Sequence, residues 1–230
     1  MKLKYYTTIL EMKGSFSIAY GNYTQRKAMV VELSHLDKKG YGECVEIDYY
    51  GINLEQLTLD LVKIQPIIEQ SEIITPFQFY EFLLQNNLHP FLCSALDCAY
   101  WDLYGKLEGK SFAELQAIPT TNLVESSITI SIDTVEKQIK KIKESSWNKF
   151  KIKCNGFSSS NLELFLKLGV QFSLDANSSF KQEDCCWLQE NKSSQNILYI
   201  EQPMSIGNFQ CLERNKFVNW MADEDAQNAN

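Results

Sequence analysis

Lys151 and Lys153 lie two apart in the run Phe150-Lys151-Ile152-Lys153-Cys154, so on a strand both ammonium groups project from one face. Asp175, Glu201 and the pair Asp223-Glu224 then follow at intervals, each closing a short apolar run. Three carboxylates brought to one point repel one another and stay ionised together only around a cation. Ligands that are all oxygen, with no His or Cys beside them, select a hard divalent ion, Mg2+ with Mn2+ as its alternative. Two adjacent, partly desolvated ammonium groups near such an ion are expected to depress each other's pKa, freeing one lysine to act as a base near neutral pH. That combination points to abstraction of a proton next to a substrate carboxylate, with the enolate stabilised electrostatically. Taken singly, each acid also reads as a helix cap or a solvated loop residue, and the lysines as a surface strand. The recurrence of charge at the same end of successive strands favours a site.

Convergence needs a scaffold. From about Glu125 strand and helix alternate: a strand over 127–132, a helix from Thr134 to about Ser145 with Asp133 as cap and Glu136 as its acidic partner, and strands over 150–154, 171–175, 197–201 and from 219 to 223. Helical patterns over 161–168 and 182–190 fill two of the intervals. Strand starts every ~20–25 residues suit βα units of a parallel sheet. In series these suggest a (β/α)8 barrel, whose polar functional groups gather at the strand C-terminal ends. Five strands are legible, so the α/β fold expected is a partial barrel, cut after about the fifth strand.

Residues 1–124 read instead as an α+β domain. Strands are expected over 3–12, 16–19 and 28–33, a turn at Gly40-Tyr41-Gly42, and helices over 54–61, 64–69, 77–84 and 91–106. The domain boundary is placed between 124 and 125.

Composition narrows the function class. With 230 residues, 44% of them hydrophobic, the chain can bury a real core. A net charge of -7 without clustered Lys and Arg argues against nucleic acid or an anionic membrane, and leaves a small molecule as the expected partner. The apolar stretch over 91–104 is broken by Asp97 and Asp102, and the chain start is too polar for an export signal, so a soluble, cytoplasmic protein is expected. Seven scattered cysteines without a C-x-x-C pair read as reduced thiols, and two histidines, His35 and His89, make a His-based site improbable. Trp101, Trp147, Trp187 and Trp220 are expected in cores.

The segments FKIK (Phe150–Lys153), SLDAN (Ser173–Asn177), YIEQP (Tyr199–Pro203) and MADE (Met221–Glu224) resemble, in order, the signature segments of the muconate-lactonising branch of the enolase superfamily. SALDCAYWDLYGK (Ser94–Lys106) resembles that branch's helix near the start of the barrel. The resemblance implies an N-terminal capping domain followed by a modified TIM barrel. It also implies Asp175, Glu201 and Asp223 as Mg2+ ligands, Lys153 as the base, Lys151 as its electrostatic helper, and Asn177 and Glu224 as supports of that set. Within the branch, IAYG (Ile18–Gly21), YGE (Tyr41–Glu43), YYG (Tyr49–Gly51) and TISID (Thr129–Asp133) are most similar to dipeptide epimerases, notably those of the L-Ala-D/L-Glu kind. That likeness implies a carboxylate or dipeptide substrate touched by Tyr20, Tyr50 and Thr129, and is compatible with a homo-oligomer. An o-succinylbenzoate synthase or cycloisomerase of the same superfamily, and an inactive metal-binding remnant, are the alternatives. The family's second lysine and its acidic ammonium-binding motif would lie beyond Asn230, and Asp225 stands where the family usually has Ser or Thr.

Overall fold

The computed structural model describes residues 1–18, 21–119, 125–209, 212 and 217–228. They form two compact units, Met1–Lys13 with Thr24–Leu123, and Gly14–Tyr23 with Val124–Asn230.

A three-stranded sheet has the order β1 (Lys2–Ile18), β2 (Gly21–His35) and β3 (Lys38–Val45); β1 up to Lys13, β2 from Thr24 and all of β3 belong to the first unit. β2 and β3 pair antiparallel from Ala28↔Val45 to His35↔Lys38. Their turn falls at Leu36-Asp37, where Leu36 has φ of 53°. The turn expected at Gly40-Tyr41-Gly42 is therefore corrected: both glycines lie inside β3, opposite Leu33 and Val31. A Cβ at Gly40 would overlap the Ala99 and Leu103 backbone, and one at Gly42 the Ala95 carbonyl. The glycines thus serve close helix-on-sheet approach rather than a turn.

Helix α1 (Leu54–Gln70) starts on Asn53, whose side chain accepts from the Glu55 and Gln56 amides. It runs on through Pro66 where two helices were expected, because Ile64 and Ile68 continue the buried stripe of Leu54, Leu57 and Leu61. Burial of that stripe outweighs the local cost of proline. α2 (Pro76–Gln85) opens on a Thr75–Gln78 capping box, and α3 (Pro90–Glu108) lays Ala95, Ala99 and Leu103 in the core. A short α4 (Phe112–Leu115) follows, capped by Ser111 and Glu114. In the core the Phe79 and Tyr100 rings stack at 3.9 Å.

The second unit is a parallel sheet in sequential order: β4 (Ile128–Ile130), β5 (Lys149–Lys153), β6 (Gln171–Asp175), β7 (Ile200–Glu201) and β8 (Trp220–Met221). α5 (Val135–Glu144), α6 (Ser159–Leu166) and α7 (Gln182–Glu190) lie between the strands in sequence. This is a partial (β/α) barrel. Its core sets Phe150, Ile152, Phe172, Leu174 and Ile200 of the strands against Ile142, Leu162, Phe165 and Leu188 of the helices. Asp133 does not cap α5. The N-cap is Thr134, and the Asp133 carboxylate accepts from the Thr134 amide and pairs with Lys137 and Lys141. Trp147 is 46% exposed, contrary to the expected core placement, Trp101 is partly buried, and Trp187 and Trp220 are partly buried against the core of the second unit. No helix among the described residues is long and apolar enough to cross a membrane.

Candidate active site

Parallel register carries one row of side chains across the sheet. Thr129 pairs with Lys151 and Lys151 with Ser173; two residues on, Lys153 pairs with Asp175 and Asp175 with Glu201. Because paired residues of adjacent strands share a face, β4 to β7 aim Thr129, both lysines and both acids the same way. The flanking Phe150, Ile152, Phe172 and Leu174 are buried and fix the strands in that register.

The groups meet. The Lys151 ammonium donates to both oxygens of Glu201 at 3.1 Å and lies 3.3 Å from Asp175 Oδ2. Lys153 is in direct ion pair with Asp175 and donates to Asn177 Oδ1 at 3.0 Å. Asp175 is wholly buried, yet neither oxygen has a hydrogen-bond partner among the described residues, and the two ammonium groups are its ion-pair neighbours. Asp223 lies just past β8, where its amide donates to Gln202 Oε1 at 3.1 Å. Glu224 is buried with both carboxylate oxygens unpartnered among the described residues.

These charges act on one another. Burial pushes the Glu201 carboxyl above its ordinary value, as do the charges of Asp175 and Asp223, while Lys151 opposes the shift. Burial also raises Glu224, with further push from Asp223 and Asp175. For Lys151 burial favours the neutral amine, but the facing Glu201 and Asp175 outweigh it and hold the ammonium above its usual range. The expected mutual lowering by the two lysines is corrected for Lys151: carboxylates, rather than Lys153, are what its ammonium faces.

The donor set suits a hard divalent cation: Asp175, Glu201 and Asp223 offer only oxygen, and the buried Asp175 carboxylate is met by the positive charge of Lys151 and Lys153. As the side chains stand, no group of three or more His, Cys, Asp or Glu among the described residues is gathered closely enough to hold a metal. The Lys151 ammonium instead bridges Asp175 and Glu201.

Two glutamines escaped the reading of the sequence. Buried Gln138 of α5 donates to the Ser131 and Lys153 carbonyls, tying the ends of β4 and β5. Gln202 is fully buried between Glu201 and Pro203 and bonds the segment after β8. Its place inside the YIEQP segment was the available signal. Of the nominated substrate contacts, Thr129 is exposed on the lysine face, and Tyr50 belongs to the first unit, its ring 6.4 Å from that of Phe91. Tyr20 lies outside the described residues.

No family model matches the chain. A curated L-Ala-D/L-amino acid epimerase of a Maribacter species is 30% identical over 216 residues, covering 93% of this chain and 64% of the relative. One of Flavobacterium johnsoniae is 30% identical over 208 residues, covering 87% and 61%. o-Succinylbenzoate synthases match at 23–25% identity. The chain thus spans about three fifths of the length of the two epimerases. Among solved structures, an enolase family member from Agrobacterium tumefaciens with homology to dipeptide epimerases superposes with a TM-score of 0.82 at 24% identity, over 97% of this chain and 68% of that one. The chain thus shares its fold with an enolase family member of known structure and is similar in sequence, over about three fifths of their length, to curated L-Ala-D/L-amino acid epimerases.

Proposed function

We propose that this chain carries the cation-binding and proton-abstracting part of an enzyme that epimerises a dipeptide. The observation that carries the reading is the row of partly buried Lys153 with buried Asp175 and Glu201, Lys151 bridging the acids. Epimerases acting on dipeptides that are similar to this chain in sequence or fold support the substrate class, and several solved relatives are complexes with Mg and a dipeptide.

In this reading Asp175, Glu201 and Asp223 hold Mg2+, which when bound supplies electrostatic stabilisation to the substrate carboxylate as negative charge builds on it. Lys153, as the neutral amine, takes the α-proton; the electron pair of the broken C–H bond moves into the carboxylate to give an enolate, and Lys153 becomes an ammonium. Asn177 holds the Lys153 Nζ in place through its Oδ1. Lys151 stays charged against Glu201 and Asp175, adding positive field to the same pocket. Delivery of a proton to the opposite face by a second general acid inverts the centre, and Lys153 gives up its proton to solvent.

The test is isotope exchange. With Mg2+ and an Ala-Glu dipeptide in D2O, the full-length protein should incorporate deuterium at the α-carbon. Lys153→Ala should slow exchange from one face by ~10²- to 10⁴-fold, the usual size of a general-base contribution. Failure of both exchange and epimerisation across a dipeptide panel rejects the reading. The o-succinylbenzoate synthase matches favour a second one, and turnover of that enzyme's acid substrate with none of dipeptides would select it.

A further inference from the structure

Beyond the lysines and acids, the segment that carries Asp223 is held by one buried side chain. β8 is two residues long and supplies little ladder of its own. The chain past it is fixed instead by Gln202, the residue directly after Glu201. Gln202 Oε1 accepts from the Asp223 amide at 3.1 Å and the Asp225 amide at 3.2 Å. Its Nε2 donates to the Met204 carbonyl at 2.9 Å and to Asp225 Oδ2 at 2.7 Å. Asp225 Oδ1 in turn accepts from the Gly207 amide at 2.7 Å. All four hydrogen-bonding positions of the carboxamide are used, as a fully buried amide requires.

The backbone of Gln202 is equally committed. Its amide donates to Met221 O at 2.8 Å and its carbonyl accepts from the Ser178 amide at 2.8 Å. Its φ is 37°, in the left-handed region that a residue with a Cβ enters at a cost of about 1–3 kcal/mol, and only where its surroundings over-determine it. Gln202 therefore joins the ends of β6, β7 and β8 at the row of acids.

We propose that Gln202 and Asp225 form a clamp that sets Asp223 at a fixed position relative to Glu201, making both of them positioning residues for the cation site. The inference rests on the reading of Asp223 as a ligand, and adds two residues that act through it. Asp225 orients the carboxamide: by accepting from Nε2 it leaves Oε1 facing the two amides, so the amide cannot turn over and present its NH2 to them.

The donor and acceptor pattern defines the experiment. Gln202→Glu keeps an acceptor for the Asp223 and Asp225 amides but sets a carboxylate against the Asp225 carboxylate and the Met204 carbonyl. Asp225→Asn must face either Gly207 N–H or Gln202 NH2 with its own NH2. In the double variant, Gln202→Glu with Asp225→Asn, the bond runs in reverse. The introduced carboxamide donates through its NH2 to the introduced carboxylate, its oxygen still accepts from the Gly207 amide, and the summed charge of the pair is unchanged.

Mg2+ binding to the full-length chain is measured by calorimetry without substrate, beside the thermal midpoint of the metal-free protein and amide hydrogen exchange at positions 223 and 225. Each single variant should weaken Mg2+ by ~10- to 100-fold, the usual cost of losing a group that orients a ligand. The double variant should recover the part of that loss that comes from the pair of facing carboxylates, though not the part that comes from the Met204 carbonyl, and a merely structural defect would recover nothing. Single variants that bind Mg2+ as the parent does, or a double variant no better than either single, overturn the clamp. If the parent itself does not bind Mg2+, the proposed function fails, and exchange still decides the clamp: it stands if the amides at 223 and 225 are protected in the parent and exposed in the single variants, and falls if all exchange alike.

Discussion

At the scale of single residues, neighbours decide charge more than burial does. Lys151 loses solvent yet is held as an ammonium because Glu201 and Asp175 face it. Lys151→Gln should therefore destabilise the cation-free protein by ~1.5–3 kcal/mol, the range for hydrogen bonds to charged groups, measured by urea unfolding. The loss should shrink when Mg2+ is present, since a cation supplies the same compensation to the two acids. Asp97 on α3 shows the opposite balance: burial raises its carboxyl above the ordinary 3.8, and its Oδ1 is buried without a hydrogen-bond partner among the described residues. The unfolded chain then releases this proton at lower pH than the folded one, so Asp97 costs stability as pH rises from 3.8 through its raised value. Asp97→Asn should raise the thermal midpoint at pH 7, and the gain should vanish below pH ~3, where both states of the parent are protonated. The convergence of Lys151, Lys153, Asp175 and Glu201 was legible in the sequence because period-two spacing and position at a strand end are enough to aim them together. Gln138 and Gln202 were not: an uncharged amide matters through the particular backbone groups that face it, and no spacing rule encodes those.

At the scale of elements, β5 and β6 were legible because each alternates apolar anchors with functional positions, and Gln171–Asp175 appears with the bounds expected. β7 and β8 shrink to two residues each, and the backbone bonds past them run through Gln202 and Pro203. β3 was misread because a Gly-x-Gly run signals a turn as strongly as it signals close approach of another backbone. The approach of α3 supplies a test. Gly42→Ala puts a methyl into the Ala95 carbonyl, so α3 or β3 must shift, and we expect a loss of about 1–3 kcal/mol in urea unfolding. Gly14→Ala in β1 meets nothing within 4 Å and should be close to neutral, which separates crowding from a general intolerance of side chains at strand glycines.

At the scale of the whole molecule, the presence of an α+β region and of a run of βα units was legible from the change of secondary-structure pattern along the chain. What pattern could not give is that Gly14–Tyr23 groups with the second unit, where the Ser17 carbonyl accepts from the Ile132 amide at 3.0 Å. That contact joins residues more than a hundred positions apart, beyond any local rule. Each unit has its own buried core. The proposed cation ligands all lie in the second unit, on or just past β6, β7 and β8, so binding energy enters the molecule there. The cysteines report where it goes. Burial lifts the thiols of Cys154 and Cys185 in the second unit to about 12, that of Cys44 in the first to about 11, and raises Cys93 of the first as well. The buried thiols of Cys44, Cys93 and Cys185 alkylate only when their surroundings open, because the thiolate is the nucleophile, and the partly buried Cys154 is protected by its raised thiol and its place beside the site. Exposed Cys98 and Cys186 should react with iodoacetamide at once and serve as the internal reference. Saturating Mg2+, at about 100 times its dissociation constant, adds ~2.7 kcal/mol to any opening that disrupts the site, a slowing of roughly 100-fold. We expect that slowing at Cys154 and Cys185, read by mass spectrometry of labelled peptides, and a smaller one at Cys44 and Cys93, whose openings need not release the cation. Equal slowing at all four would mean that both units open as one. No slowing at Cys154 or Cys185 would mean that the row of acids does not take the cation.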